Sequence, residues 1–182
     1  MNPQPPPGNS REKAHENTQE KAQGNSQENP QQDAPQVPFP PAVYPALAIV
    51  GGYFLQRLLP LPQPTHTSFE VTGWVIFSVG ILLIIWSLST LRKFQTTAMP
   101  HHSAKHLVTV GPYRFSRNPV YLAFILLTLA SALATGNLWI LLSLPVISIL
   151  LATYAIVPEE RHLQQMAGDR YTEYSRKVRR WL

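Results

Sequence analysis

The sequence predicts an all-α integral membrane protein without a Rossmann domain. We expect about four transmembrane helices with a tight C-terminal helical hairpin, a cytoplasmic loop and amphipathic C-terminal helices. Three observations predict this class. Residues 1–41 are polar whereas residues 42–157 are mostly apolar, residues 71–91 and 119–157 carry no charge, and basic residues cluster beside these uncharged runs. Cysteine is absent, which excludes disulfides, thiolate metal sites and cysteine nucleophiles.

Residues 1–41 contain nine prolines among Gln, Asn and Glu residues. Such a segment buries too little apolar surface to offset the entropy of ordering. We interpret it as a disordered cytoplasmic tail that acts as a spacer. The membrane domain is then expected to cover residues 42–182.

The first two spans are expected at about residues 42–59 and 71–91. The second has 21 uncharged residues, which as a helix are about 31 Å long and cross a hydrocarbon core of about 30 Å. The first is less regular, because it holds two glycines, a proline and Arg57 near its end. A long arginine side chain at that position can extend to the membrane interface.

The uncharged run 119–157 predicts a hairpin of two spans. Its 39 residues correspond to about 58 Å of helix, roughly twice the thickness of the core. Gly136-Asn137 is a turn signal near the middle, so we expect spans at 119–135 and 138–157. Pro119 suits the first helical turn, and Pro145 is expected to kink the last span.

Lysine and arginine predict the orientation of these spans. Five lie in residues 92–117 and six follow Val157, whereas the two opposite loops have none. Both basic segments, and both termini, are therefore expected in the cytoplasm, with a bacterial inner membrane as the favoured location. Residues 158–182 have an amphipathic pattern, and Gly168-Asp169 predicts two short helices there, the second capped by Asp169.

Charged residues at the cytoplasmic side are candidates for chemistry. Arg114 and Arg117 can form a guanidinium fork for a carboxylate or phosphate, although arginines here also orient membrane proteins. Asn118 fits a helix cap. Glu159 and Glu160 follow the last span, where a helix dipole disfavours carboxylates, so Arg161, Arg117 or a cationic ligand is expected to compensate.

Other site classes are not favoured. His101, His102 and His106 are better explained as surface residues than as metal ligands, and no metal is expected. The chain has no Walker-type loop and no G-x-G, so a Rossmann nucleotide site is not expected. Basic residues beside spans suit anionic lipid headgroups or an anionic substrate better than nucleic acid.

Two segments resemble a known family. LVTVGPYRFSRNPVYLAF, from residue 107, and PEERHLQQMAGDRYTEYSRKVRRWL, from residue 158, are similar to the two motifs of the isoprenylcysteine carboxyl methyltransferase family, a relative of phospholipid N-methyltransferases. Residues 96–100 look like a further part of the bacterial pattern. The resemblance covers about residues 70–182. Eukaryotic members have Arg-His-Pro at residues 117–119, so it says less about the acceptor than about the cofactor.

The resemblance implies a membrane methyltransferase that uses S-adenosylmethionine in an all-helical fold. Its acceptor is expected to be lipid-like or prenylated, with carboxylate O-methylation as the preferred reaction. Arg117 and Glu160 are the implied catalytic residues. The implied cofactor-binding residues are Gly111, Pro112, Tyr113, Asn118, Pro119, Tyr121, Glu159, Glu160, Tyr171 and Tyr174.

Two alternatives remain open at this point. Membrane sterol reductases share a similar C-terminal architecture but use a nicotinamide cofactor. A non-enzymatic adaptor would instead bind anionic lipids through its basic loops and recruit partners through its tail.

Overall fold

A computed structural model describes residues 40–63, 66–94 and 107–182. Within these ranges the regular backbone is helical and contains no strand, which confirms the all-α prediction for this part of the chain. The helices are α1 (Val43–Leu58), α2 (Thr67–Lys93), α3 (Pro119–Thr135), α4 (Leu138–Leu151), α5 (Val157–Ala167) and α6 (Asp169–Lys177), with a 3-10 turn at Gly111–Arg114 and a π-helical segment at Ala152–Ile156.

Several predictions concern residues outside the described ranges. These are the predicted disordered tail, except for its last two residues, the segment 96–100, and the histidines His101, His102 and His106.

Two helical stretches are long and apolar enough to cross a membrane. One is α2, with 27 residues, and the other is the continuous stretch Leu138–Ala167, with 30 residues. The apolar helix α3 is shorter, so the number of four spans stays a prediction. Val75, Leu82 and Ile85 on α2 are each more than half exposed, an arrangement that suits lipid and is costly in water.

The first two helices lie close to their predicted positions. The helix α1 at Val43–Leu58 lies within the expected range 42–59. The helix α2 begins four residues before the predicted span and ends two after it, because it continues through the charged residues Glu70, Arg92 and Lys93. Absence of charge marks the apolar part of a span, whereas backbone hydrogen bonds decide where the helix ends.

The predicted hairpin turn is confirmed. Gly136 ends α3 in the left-handed conformation, with φ of 64°, which glycine adopts without steric cost. The Asn137 side chain then caps α4 by accepting hydrogen bonds from the backbone N–H groups of Trp139 and Ile140. The Asn137 amide also donates to the Gly52 carbonyl oxygen at 3.2 Å, which ties the hairpin to α1.

The prediction that the fourth helix ends at residue 157 is wrong. The backbone stays helical from Leu138 through the π-helical segment and α5 to Ala167. Pro158 lies in the first turn of α5, and because proline has no N–H, the preceding turn cannot form its ordinary bond there. Just before Pro158 the helix takes the wider π-helical form at Ala152–Ile156, and it continues beyond the proline. Pro145 lies within α4.

The predicted break at Gly168 is confirmed, but Asp169 does not cap the second helix. Gly168 has a φ of 53° and separates α5 from α6. Asp169 is the first residue of α6, one position too late for a cap, and it makes no capping bond. Gln164 donates across the break to the Gly168 carbonyl oxygen at 3.3 Å.

Close packing of α2 against α3 depends on glycine. A Cβ atom added at Gly73 would lie 2.6 Å from the Ala134 backbone nitrogen and 2.9 Å from the Ala130 carbonyl oxygen. These are backbone atoms that cannot turn away. Small residues allow membrane helices to approach this closely. By contrast, a Cβ at Gly51 on α1 would meet no atom within 4 Å.

We expect Gly73→Ala to destabilise the protein and Gly51→Ala to leave it unchanged or slightly more stable. Both substitutions stabilise the helix by about 1 kcal/mol through helix propensity. The difference in stability between the two variants therefore measures the effect of packing at Gly73. Overpacking at Gly73 should cost about 1–3 kcal/mol. Thermal unfolding in detergent measures the difference, and equal melting temperatures for the two variants would contradict the packing argument.

Candidate functional site

The two segments that carry the predicted site residues contact each other. The Tyr121 hydroxyl, on α3, donates to Glu159 Oε2 at 2.8 Å. Arg117 Nη1 lies 3.3 Å from Glu160 Oε1. The Tyr174 hydroxyl, on α6, donates to the Tyr113 carbonyl oxygen at 2.7 Å. Residues more than thirty positions apart therefore meet at one end of the helices.

Glu160 lies between two guanidinium groups. Arg180 forms a bidentate pair with it, with Nε to Oε1 at 3.1 Å and Nη2 to Oε2 at 2.6 Å. Arg117 approaches the same Oε1 with a single nitrogen. The Glu160 side chain is only 14% exposed, so these contacts replace water as its partners. Its carboxylate also raises the pKa of Arg180.

Arg117 has one N–H donor, Nε, that none of the described residues uses. Its Nη1 donates to the Tyr171 hydroxyl at 3.2 Å as well as facing Glu160. Burial, and then the charge of Glu160, raises the pKa of Tyr171, so this hydroxyl stays protonated at neutral pH. Arg117 Nε is buried and has no hydrogen-bond partner among the residues that the structure describes. An unpaired buried N–H is costly, and a ligand oxygen would satisfy it.

Glu159 has different surroundings from Glu160. It accepts the Tyr121 hydroxyl, and none of the described residues forms an ion pair with it. Neighbouring residues on a helix point about 100° apart, which separates the two carboxylates.

The segment 178–182, which we call the strap, crosses the start of α3. The Arg179 carbonyl oxygen accepts from the Arg117 backbone N–H at 3.0 Å. The Arg180 carbonyl oxygen accepts from Ser116 Oγ and Asn118 Nδ2, each at 3.2 Å. Trp181 packs against the buried apolar cluster that contains Tyr121. The strap is thus held by its backbone and by one aromatic side chain.

Comparison with known proteins identifies the family. The model of the phospholipid methyltransferase family matches residues 69–170, more than half of the chain. The chain belongs to this family. Membership confirms the resemblance predicted from the two motifs and indicates a membrane methyltransferase, while the reductase and adaptor alternatives are not favoured.

A relative of this methyltransferase is known from Haemophilus influenzae. That uncharacterized protein is 36% identical over 63 residues, which make up 100% of its own length and 35% of this chain. No solved structure matches.

Some predicted contacts of the candidate site differ from those observed. Asn118 precedes α3 but its side chain makes no capping bond, and its amide donates to the Arg180 carbonyl oxygen. Arg114 is exposed, whereas Arg117 is half-buried. Arg161 is also exposed and does not pair with the glutamates. Glu159 and Glu160 lie in the first turn of α5 rather than at a helix C-terminus, so the expected dipole penalty does not apply.

Three predicted cofactor-binding residues have clear packing roles. Gly111 has a φ of 64°, and a Cβ there would lie 2.9 Å from Thr90 Oγ1 on α2. Pro112 and Pro119 are fully buried. These residues shape the turn that carries Arg117.

Sequence reasoning missed Arg180 and the strap. Nothing local distinguishes Arg180 from the exposed Arg179, since both lie in one basic cluster. The only available signal was Trp181, which the amphipathic pattern assigned to the protein or membrane side. The contacts with Glu160 and Asn118 span 20 and 62 residues, respectively.

The described residues contain no group of three His, Asp or Glu side chains that could hold a metal ion. Glu160 is reachable from the side of α5 through an open depression of about 380 Å³. This depression is lined by Val157, Glu160, Arg161, Gln164 and Gln165.

We expect Tyr174→Phe to lower the free energy of unfolding by about 1–3 kcal/mol, because it leaves the Tyr113 carbonyl oxygen without its donor. Tyr154→Phe is the matched control, since Tyr154 is 48% exposed. Thermal or denaturant unfolding in detergent measures both variants. Equal stability would mean that the Tyr174–Tyr113 bond contributes nothing.

Proposed function

We propose that this protein transfers a methyl group from S-adenosylmethionine to a lipid-like or prenylated acceptor, with a carboxylate oxygen as the methyl-accepting atom. Besides the family, one observation supports this most directly. An arginine with an open donor and a glutamate without an ion pair, Arg117 and Glu159, lie on the two contacting segments. Arg117 can bind an anionic group, and burial raises the pKa of Glu159, so a bound cation would favour its charged form.

The residues present fit S-adenosylmethionine. Its amino-acid end carries a carboxylate and an ammonium group, and its ribose carries hydroxyls. Arg117 Nε can donate to the carboxylate. Glu159 can accept from the ammonium group or from the ribose. Tyr113, Tyr121, Tyr171 and Tyr174 offer aromatic and hydroxyl surface around these charges.

When bound, S-adenosylmethionine supplies an electrophilic methyl group on a sulfonium. The chain's own contribution is orientation and exclusion of water, because such a transfer needs little acid–base chemistry. Arg117 orients a carboxylate, and Glu160 holds the Arg117 guanidinium in place. The buried prolines and tyrosines around them keep the site dry. If the acceptor is also a carboxylate, opposite charges neutralise during transfer, and a dry site favours that change.

The surface next to the site indicates the acceptor class. Trp86, whose indole lies beside Gly111, is 49% exposed, and Phe115 in the turn before α3 is 63% exposed. Apolar surface at the edge of a membrane span suits an acyl or prenyl chain. Phospholipid is the acceptor class in the family's name, whereas a carboxylate acceptor is inferred from the resemblance in the two motifs.

We further propose four spans in a bacterial inner membrane, with both termini in the cytoplasm. The chain has no cysteine, so single cysteines can be labelled without background. Gln63, between α1 and α2, and Asp169, at the start of α6, are both exposed.

With this orientation, a membrane-impermeant maleimide should label Gln63→Cys in intact spheroplasts and Asp169→Cys only in inverted vesicles. The positive-inside distribution of lysine and arginine is the physical reason. The opposite labelling pattern would overturn the orientation, and labelling of both residues from one side would overturn the span count.

Glu160→Gln tests the proposed site. It should weaken S-adenosylmethionine binding roughly tenfold or more, because neutralising Glu160 leaves the mostly buried Arg117 without its carboxylate partner and disturbs its position. Calorimetry on detergent-purified protein measures the affinity, with an unfolding curve to establish that the variant is folded.

Glu173→Gln is the matched control, since Glu173 is exposed and pairs only with Lys177 among the described residues. It should bind as the wild type does. Absence of binding by folded wild-type protein would remove the methyltransferase proposal, whereas full affinity in Glu160→Gln would remove only the role of Glu160.

A further inference from the structure

We propose that Arg180 is a positioning residue that keeps Arg117 available for the carboxylate of the methyl donor. The strap carries Arg180 to Glu160, where it takes both carboxylate oxygens and leaves Arg117 a single contact. This inference rests on the proposed function and adds a residue that was not among the predicted site residues.

The two arginines contact the Glu160 carboxylate to different extents. Arg180 makes two contacts at 3.1 and 2.6 Å, one to each oxygen. Arg117 makes one, at 3.3 Å, and shares the same Nη1 with Tyr171. Arg180 is therefore the main partner of Glu160, and Arg117 keeps its Nε unpaired.

Removal of the Arg180 side chain would leave Glu160 without its main partner. A carboxylate that is 14% exposed needs a cation, because an uncompensated buried charge is strongly unfavourable. Arg117 is the other guanidinium already within 4 Å of Glu160. Its Nε and Nη2 are expected to take over the bidentate pairing that Arg180 makes with the same two atoms, because that pairing contacts both oxygens of Glu160. Its Nε would then be used inside the protein.

The position of the strap does not depend on the Arg180 side chain. The Arg179 and Arg180 carbonyl oxygens hold the backbone N–H of Arg117 and the Ser116 and Asn118 side chains. Trp181 adds apolar packing. Substituting Arg180 should therefore change the ion cluster and leave the strap in place.

Arg179 provides a matched control. It lies in the same strap, carries the same charge and uses its carbonyl oxygen in the same way, but its side chain is exposed. Arg179→Gln and Arg180→Gln therefore change the net charge and the composition equally. Only the second removes a contact to Glu160.

The test uses two ligands that differ in one group. Calorimetry measures the affinity of full-length wild type, Arg179→Gln, Arg180→Gln and Arg180→Lys for S-adenosylmethionine and for decarboxylated S-adenosylmethionine. We expect Arg180→Gln to bind the complete donor roughly tenfold or more weakly, because a charge-assisted hydrogen bond is lost. The decarboxylated ligand should bind it within about twofold of wild type, since there is no carboxylate to hold.

The two remaining variants test whether the effect requires the loss of the cation at Glu160. Arg179→Gln should match wild type with both ligands. Arg180→Lys keeps a cation at Glu160 and should bind S-adenosylmethionine more tightly than Arg180→Gln does. Equal losses for both ligands, or wild-type affinity of Arg180→Gln for the complete donor, would overturn the positioning role.

Hydrogen exchange separates positioning from loss of the strap. The Arg117 amide, which donates to Arg179, should stay as protected in Arg180→Gln as in wild type. Faster exchange there would assign the effect to an undocked strap and overturn the inference. If folded wild type binds neither ligand, the proposed function fails. If wild type binds and Arg180→Gln behaves identically, only the inference about Arg180 fails.

Discussion

The Glu160 carboxylate and its two guanidinium partners connect the elements that form the site. Arg117 comes from the turn before α3, Glu160 from α5 and Arg180 from the strap. Removing ions from water costs several kcal/mol per ion, and this cost is recovered only when geometry and hydrogen bonds are good. A displacement of α5 or of the turn before α3 would therefore leave a poorly solvated charge, whereas Arg180 on the strap is 40% exposed. Tyr171 extends the cluster by accepting from Arg117, which links α6 to the same group of charges.

Helix packing brings these charges together. Gly73 lets α2 and α3 approach closely, and Asn137 fixes the α3–α4 hairpin against α1. The helix that starts after Asn137 then runs without interruption through the π-helical segment into α5. This continuity carries the two glutamates past the end of the apolar run and turns them to different neighbours. Glu159 meets Tyr121 on α3, whereas Glu160 meets the arginines.

Local patterns were enough to predict the helices and the hairpin turn. Uncharged runs identify apolar helices, and Gly136-Asn137 supplies the left-handed residue and the cap that the turn needs. The approach of the two motif segments was expected only through a family resemblance, because no local pattern relates residue 117 to residue 160. Tertiary contacts were not predictable: Asn118 looks like a cap but bonds to the strap. Arg179 and Arg180 have the same side chain. Only the path of the folded chain brings the Arg180 side chain to Glu160 and leaves that of Arg179 exposed.

The distribution of charge also bears on acceptor choice. Arg117, Arg180 and Glu160 together carry one net positive charge, and burial raises the pKa of the neighbouring Glu159, which has no ion pair among the described residues. In the proposed function, the carboxylate and ammonium groups of the donor would use both. The exposed Arg114 and Arg161 would remain as contacts for an anionic headgroup. The apolar surface of Trp86 and Phe115 beside the site would add selection by the chain of the acceptor. Because burial of each methylene contributes about 0.8 kcal/mol, chain length can discriminate between acceptors without any further polar contact.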